Sequence, residues 1–173
     1  FAEELDPQCH YFNTEYPEKR FDGAGPDHAA IAALAGLAEY FEQSHLHHFG
    51  TGRLSLKKKA IQLSGLMHKH ESNLCEVLLE GITDLPLRII GRDSMKWREA
   101  NISLISEKHS PQQLCESLAR NNIAAGYGNF YAIRLLNKLG LMEKEEGVLR
   151  ISFAHYNTRE EVMRVVTALQ DLH

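Results

Sequence analysis

Apolar residues recur every three to four positions over two long segments in the first half of the chain, which predicts two long helices. The first is expected from about Asp27 to Ser44, with Asp27 as its N-cap. Residues 1–25 ahead of it lack sustained periodicity and are expected to be irregular. The apolar stripe of this helix consists of Ile31, Leu34, Ala38 and Phe41.

The second helix is expected from about Leu54 to Glu80, with Gly81 as its stop signal. Its length is well above the usual ~11–12 residues, and so long a helix commonly bridges two bodies. We therefore assign residues 1–80 to an N-terminal segment with connector helices, and residues 81–173 to a small C-terminal domain. The apolar seam of this helix consists of Ala60, Ile61, Leu63, Met67, Leu74, Val77 and Leu78.

Short apolar runs alternate with helical segments after Leu85. Residues 87–90, 101–105 and 123–125 are predicted strands because each run is short and largely apolar.

Two helices are predicted between these strands. Ser110 and Gln113 form a capping box with Pro111 at the first helical position, which opens the first of them. Asn129 is predicted to cap the next helix, which ends at Gly140.

The chain closes with a strand and a helix. Leu149, Ile151 and Phe153 alternate with smaller or polar residues, which is strand periodicity with one large apolar face. Arg150 then points out of the opposite face, where it is either a solvated charge or a clamp for a carboxylate. The closing helix begins at a capping box of Thr158 and Glu161 and buries a stripe of Val162, Val165, Val166 and Leu169.

The predicted fold class is α+β. Two long helices precede a two-layer small domain, in which helices pack on one face of a short, largely antiparallel or mixed sheet.

Composition excludes several classes of function. A net charge of −4 argues against a dedicated nucleic-acid binder, and no apolar run approaches the ~20 residues of a membrane span. The odd count of three widely spaced cysteines fits a reducing compartment, so we expect a cytoplasmic protein.

Five histidines around the junction of the two long helices suggest a metal site as one alternative. Residues two apart do not share a helix face, so His68 and His70 cannot both bind one ion. We therefore predict exposed histidines and no metal. The five are His45, His47, His48, His68 and His70.

The closing segment resembles class V aminotransferases, the pyridoxal-phosphate enzymes that include cysteine desulfurases. That family has Arg-x-Ser on a strand, then Tyr-Asn-Thr and a Glu-Glu-Val helix, which read here as Arg150-Ile-Ser152, Tyr156-Asn157-Thr158 and Glu160-Glu161-Val162. The resemblance implies that Arg150 binds the α-carboxylate of an amino-acid substrate. It also implies the C-terminal domain of fold type I, a connector helix from a large domain, and a homodimer in the full-length form.

The glycine turn that begins at Phe21 supports the same resemblance. The family has an acidic residue followed by Gly-Thr-Pro-Asn here, and this turn approaches the cofactor phosphate of the neighbouring subunit. Gly25 stands where the family has threonine. The resemblance therefore implies phosphate contacts from the backbone N–H groups of Ala24 and Gly25.

Parts of the family's active site are expected to lie outside this chain. The family's Schiff-base lysine lies in a Ser-x-His-Lys segment upstream of the glycine turn, and no such segment occurs here. Because the chain also begins with Phe rather than Met, we expect a fragment or a processed product. By the resemblance, it contains no catalytic residue, and pyridoxal phosphate is bound by the full-length enzyme.

The loop at residues 125–131 bears on the reaction. Cysteine desulfurases carry a persulfide-forming cysteine there, whereas this loop has none, and Cys115 is expected to be a small buried hydrophobe. Gly126–Asn129 resembles desulfurase-like members of unassigned chemistry. This implies that Tyr127 and Asn129 line the substrate pocket, although a turn followed by an N-cap explains Asn129 equally well.

Two hypotheses follow. In the first, the chain is the C-terminal part of a pyridoxal-phosphate enzyme of this family, with Arg150 as the carboxylate ligand. In the second, it is a non-catalytic α+β binding or interaction module without a cofactor.

Overall fold

The computed structural model describes residues 4–23, 26–142 and 147–172. The chain forms two compact units, Phe1–Leu63 and Ser64–His173. The division falls inside the second long helix, and the domain boundary predicted after residue 80 stays a prediction.

The two long helices are present as predicted. Helix α1 spans His28–Phe49 and helix α2 spans Leu56–Gly81. The carboxylate of Asp27 accepts a hydrogen bond from the backbone N–H of Ala30 at 3.0 Å, which confirms the predicted N-cap.

Helix α1 is longer than predicted, because residues 45–49, which follow the predicted end at Ser44, are also helical. His45 is buried in it, at 3% exposure, and its Nε2 lies 2.7 Å from the Gln62 side-chain oxygen. Lys59 of α2 also forms an ion pair with Glu42 of α1. These contacts from the first turns of α2 stabilise the extra turn of α1.

The predicted apolar stripe of α1 is largely exposed. Ile31 and Leu34 are 54% and 60% exposed, and neighbouring Leu37 is 52% exposed. The helical period of these residues is therefore present, but within the described residues it does not correspond to a buried face.

The second unit is built on a four-stranded sheet. Its strands are β1 (Leu87–Ile90), β2 (Asn101–Ser106), β3 (Gly126–Gly128) and β4 (Val148–Ser152). Their spatial order is β1-β2-β4-β3, and all three pairings are antiparallel. The α+β class and the largely antiparallel sheet are confirmed.

The main core lies on one face of this sheet. Helix α3 (Pro111–Arg120), helix α5 (Arg159–Gln170) and the end of α2 pack there against alternate residues of β2 and β4. The residues of the core with no exposed surface are Cys75, Leu78, Ile102, Leu104, Leu114, Leu118, Leu149, Val162 and Leu169.

The capping boxes in the sequence predicted the starts of α3 and α5 correctly. Both capping boxes, at Ser110 with Gln113 and at Thr158 with Glu161, have their two reciprocal hydrogen bonds. The end of α2 approaches α5 so closely that a Cβ on Gly81 would lie 2.6 Å from a methyl group of Val166. Only glycine fits at this crossing without a shift of α5.

The prediction that helices cover one face of the sheet is wrong. Helix α4 (Ile133–Lys138) packs on the other face, where its Leu136 joins Ile105 and Val148 in a second small apolar cluster. The face of the sheet that carries Arg150 is therefore apolar at one end, where Ile105 and Val148 lie, although the alternation of β4 predicted smaller or polar residues on it.

Two local predictions between α3 and α4 are also corrected. Residues 123–125 are not a strand, because the N–H of Ile123 binds the carbonyl of Leu118 and closes the end of α3; the strand follows at Gly126. Asn129 does not cap α4, whose N-cap is Ala132. Its side-chain oxygen instead accepts a hydrogen bond from the N–H of Tyr131 at 2.9 Å.

Candidate functional site

Arg150 lies at the middle of β4, between two neighbouring strands. Its register partners are Ser103 on β2 and Gly126 on β3. Leu149 and Ile151 on either side of it are 0% and 4% exposed in the main core, so Arg150 projects from the opposite face as predicted. That face is partly covered by α4, and the arginine is half-buried.

The guanidinium of Arg150 is stacked on an aromatic ring. Its Cζ lies 3.9 Å from the centroid of the Phe130 ring, within the range of a cation–π contact. The flat face of the guanidinium is thereby occupied, whereas its N–H donors lie along the edge.

No carboxylate among the described residues forms an ion pair with Arg150, whereas Lys59, for example, is paired with Glu42. A half-buried cation without a counter-ion is costly unless a ligand or water satisfies its donors. Arg150 therefore has the chemistry of an anion-binding group.

An unusual backbone conformation brings Phe130 to this position. Phe130 and Tyr131 both have left-handed backbones, with φ of +48° and +62°. Two consecutive aromatic residues in this region are strained, and such strain is concentrated at functional sites. Asn129 braces the turn, because its side chain binds the N–H of Tyr131 and its carbonyl binds the N–H of Ala132 at 2.8 Å.

Glycine at position 126 leaves room for the ring. A Cβ at Gly126 would lie 3.2 Å from the Phe130 ring, tighter than ordinary van der Waals contact. Gly126, Phe130 and Arg150 therefore form one layered arrangement across β3 and β4.

A cavity of about 450 Å³ opens beside the guanidinium. Arg150, Asn129, Asn101 and Ser103 supply its polar groups, and no acidic side chain or lysine is among its described lining residues. The apolar part of the lining consists of Ile90, Phe130, Ala132, Leu135, Leu136, Leu139 and Val148. A mostly apolar cleft with a few polar groups at one place is the usual form of a small-molecule site.

The model of the aminotransferase class V family matches residues 6–165. The chain belongs to the aminotransferase class V family. Enzymes of this family depend in general on pyridoxal phosphate.

Two curated relatives illustrate the extent of the likeness. A cysteine desulfurase of Pectobacterium atrosepticum is 27% identical over 155 residues, which are 89% of this chain and 32% of that protein. The aminotransferase-like protein FGM3 of Gibberella zeae is 33% identical over 107 residues, 59% of this chain and 26% of that protein. The chain thus spans about a third of the length of these class V relatives, or less.

Solved structures show the same fold. The apo cysteine desulfurase of Thermococcus onnurineus superposes with a TM-score of 0.69 at 24% identity, over 90% of this chain and 34% of that one. A cysteine desulfurase of Escherichia coli gives a TM-score of 0.61 at 20% identity, over 87% of this chain and 31% of that one.

The structure brings together two of the predicted site residues of this class V chain, since Arg150 and Asn129 line the same cavity. Tyr127 is not among the lining residues. It pairs in register with Leu149, whose side chain lies in the main core, and it is 44% exposed on that side of the sheet. Ala24 and Gly25, predicted to contact the cofactor phosphate, lie outside the described residues.

Three polar or aromatic lining residues are among those that the sequence did not identify. Asn101 and Ser103 share the face of Arg150 through the β2–β4 register, and their alternation with buried Ile102 and Leu104 was a usable signal. Phe130 gave no comparable signal, because its contact with Arg150 depends on a left-handed turn.

The described cavity lining does not fit the cofactor by itself. Pyridoxal phosphate requires an amine for its Schiff base and a carboxylate for its pyridine nitrogen. Neither group is present among the described lining residues, which offer one guanidinium, two amides and one hydroxyl. The donor set instead matches a carboxylate ligand.

Cys75 and Cys115 have no nucleophilic environment. Burial raises the pKa of the Cys75 thiol to about 11, and burial also raises the pKa of Cys115. The Cys115 thiol packs against the main core and donates a hydrogen bond to the carbonyl of Ala125 at 3.3 Å. A thiol in such surroundings is a poor nucleophile.

The prediction that the five histidines are exposed is wrong for His45, which is buried. His70 Nε2 lies 2.8 Å from the Asn157 carbonyl, and the described residues contain no group of three side chains that could hold a metal ion. No helix in the described part of the chain is long and apolar enough to cross a membrane.

Proposed function

We propose that this chain is the C-terminal part of a pyridoxal-phosphate enzyme of class V that acts on an amino acid, and that Arg150 binds the substrate carboxylate. The observation that carries the proposal is the guanidinium of Arg150. It is half-buried, stacked on Phe130 and without a carboxylate partner among the described residues, at the polar end of an apolar cavity.

The geometry favours a carboxylate over a larger anion. Stacking on Phe130 fixes the plane of the guanidinium and leaves two parallel N–H donors on its edge, which match the two oxygens of a carboxylate. Asn129, Asn101 and Ser103 are neutral, so they can add hydrogen bonds without competing for the cation. The apolar walls lower the local polarity beside the guanidinium, which strengthens the ion pair.

The cofactor belongs to the proposal only for the whole enzyme. The chain spans about a third of its relatives, and its described cavity offers neither the amine nor the carboxylate that the cofactor requires. We therefore propose that this polypeptide alone is inactive and contains no catalytic residue. In the full-length homodimer, the N–H groups of Ala24 and Gly25 face the phosphate of the neighbouring subunit.

The three cysteines support two further parts of the proposal. None is in a disulfide, which fits a cytoplasmic enzyme. The loop at residues 125–131 has no cysteine, and the thiol of Cys115 is partly buried, so we do not propose transfer of sulfur.

The test is the replacement of Arg150 by alanine, followed by calorimetric titration of this chain with an amino acid. Loss of a charge-assisted pair of hydrogen bonds removes about 1.5–3 kcal/mol, so we expect affinity to fall by about 10- to 150-fold. Arg150→Lys keeps the charge but loses the paired donors, and we expect intermediate affinity.

The matched control is Arg134→Ala. Arg134 is an exposed arginine on α4 that does not line the cavity, so its removal changes net charge equally and should leave affinity unchanged. Equal affinities of wild type and Arg150→Ala would contradict the carboxylate clamp and favour a non-catalytic α+β module.

A further inference from the structure

We infer that the cavity beside Arg150 selects an amino acid with a large apolar side chain, and that α4 supplies the wall that recognises it. This inference rests on the proposed function, because it takes Arg150 as the carboxylate ligand. It adds the class of substrate side chain, which the likeness to named relatives does not provide.

The first observation is the separation of polar and apolar groups in the cavity. The polar side chains, Arg150, Asn129, Asn101 and Ser103, belong to the sheet and the β3–α4 turn. The apolar wall comes mostly from the α4 region, with Leu135, Leu136 and Leu139. A ligand held at Arg150 by its carboxylate therefore meets hydrocarbon along the rest of the cavity.

The second observation is the exposure of that wall. Leu136 is buried at 4%, whereas Leu135 and Leu139 are 58% and 48% exposed although they line the same cavity. Leucines that border a cavity and remain half-exposed gain free energy when an apolar group covers them.

The third observation is the absence of charge along the wall. Among the described lining residues, Arg150 is the one ionisable side chain. A substrate with a carboxylate or an ammonium group in its side chain would place an unpaired charge against leucine, which is costly. The site therefore discriminates against acidic and basic amino acids as well as small ones.

The volume agrees with such a ligand. A cavity of about 450 Å³ lies within the usual range of roughly 300–1,000 Å³ for small-molecule sites. A small polar amino acid such as serine leaves the leucine wall uncovered and gains nothing from it.

The test is a series of amino acids with lengthening side chains, titrated calorimetrically into this chain: alanine, 2-aminobutyrate, norvaline and norleucine. A buried methylene contributes about 0.8 kcal/mol, and the wall is partly open, so we expect affinity to rise about two- to four-fold for each methylene. From alanine to norleucine, the expected gain is about 8- to 60-fold. O-Methylhomoserine, which replaces one methylene of norleucine by oxygen, should bind more weakly than norleucine.

Variants of α4 locate the effect. Leu135→Ala and Leu139→Ala should reduce the rise in affinity from alanine to norleucine, whereas Ile133→Ala should not. Ile133 is a matched control because it is also on α4 and is 48% exposed, but it does not line the cavity. Since Leu135 and Leu139 are half-exposed, both variants should fold, and thermal unfolding checks this.

The outcomes separate this inference from the proposed function. If all four amino acids bind equally and all lose affinity in Arg150→Ala, the apolar selectivity is overturned and the carboxylate clamp stands. If affinity rises with side-chain length but does not change in Arg150→Ala, the clamp is overturned. Hexanoate bound at least tenfold more tightly than norleucine would identify a fatty-acid ligand and overturn the assignment to amino acids.

Discussion

The contact between Phe130 and Arg150 gives a quantitative prediction. Replacing Phe130 by leucine removes the ring and keeps an apolar side chain at the same left-handed backbone position. Because both residues are strained there to a similar extent, the change reports on the ring rather than on the turn.

The magnitude follows from the geometry. The Cζ of Arg150 lies 3.9 Å from the ring centroid, and the arginine is half-buried, so the contact is worth about 0.5–2 kcal/mol. Without the ring, the guanidinium must be immobilised when the ligand binds, which costs about 0.5–1.5 kcal/mol. We therefore expect Phe130→Leu to weaken binding of norleucine by about 2- to 12-fold.

The assay is calorimetric titration at neutral pH, with urea unfolding to confirm that each variant is folded. Phe130→Tyr keeps the ring and should bind as wild type does. Tyr131→Leu is the matched control, because Tyr131 is also a left-handed aromatic residue but is fully exposed. Wild-type affinity in Phe130→Leu, or an equal loss of affinity in Tyr131→Leu, would contradict the role of the ring.

Two further predictions concern ionisable groups. The backbone N–H of Thr158 lowers the pKa of Glu161, so this carboxylate stabilises the fold above about pH 4.5, and the contribution is lost as pH falls through the lowered pKa. Glu161→Gln should therefore lose less stability than wild type between pH 7 and pH 3 in urea unfolding. Identical losses in the two proteins would contradict this. Burial raises the pKa of Cys75 to about 11. Iodoacetamide at pH 8 should therefore label Cys9 in the folded chain and reach Cys75 only after denaturation. Rapid labelling of Cys75 in the folded chain would contradict its burial.

Features encoded over a few residues were predictable from the sequence. The two capping boxes need only a side chain and an N–H group three residues away, and both are present. The outward direction of Arg150 followed from the two-residue period of β4.

Features that depend on distant partners were not predictable in this way. Asn129 has the composition of an N-cap, but its side chain satisfies the N–H of Tyr131 because the turn at Phe130 is left-handed. Ile123 and Ala125 resemble a strand because they pack on the core, whereas the end of α3 takes the Ile123 N–H. A single sequence does not show which of two possible hydrogen-bond partners lies nearer to a given group in the folded chain.

The sequence pattern did not predict that α4 covers part of the sheet face that carries Arg150. The strand pattern predicted that this face was polar, since Arg150 and Ser152 lie on it. Val148 and Ile105 make one end of it apolar, beside Arg150, and Leu136 of α4 packs there. The cavity exists because α4 covers only part of the face.

The place of β4 in the strand order has a consequence for how ligand binding can be observed. Amide protons of a strand flanked on both sides exchange with solvent mainly when the whole sheet opens, whereas those of edge strands exchange through local fraying. A ligand held by Arg150 at one hundred times its dissociation constant adds about 2.7 kcal/mol to the opening free energy. Both β2 and β4 are flanked on two sides, so deuterium uptake at these two strands should slow about 100-fold on binding, and their exchange measures occupancy of the site.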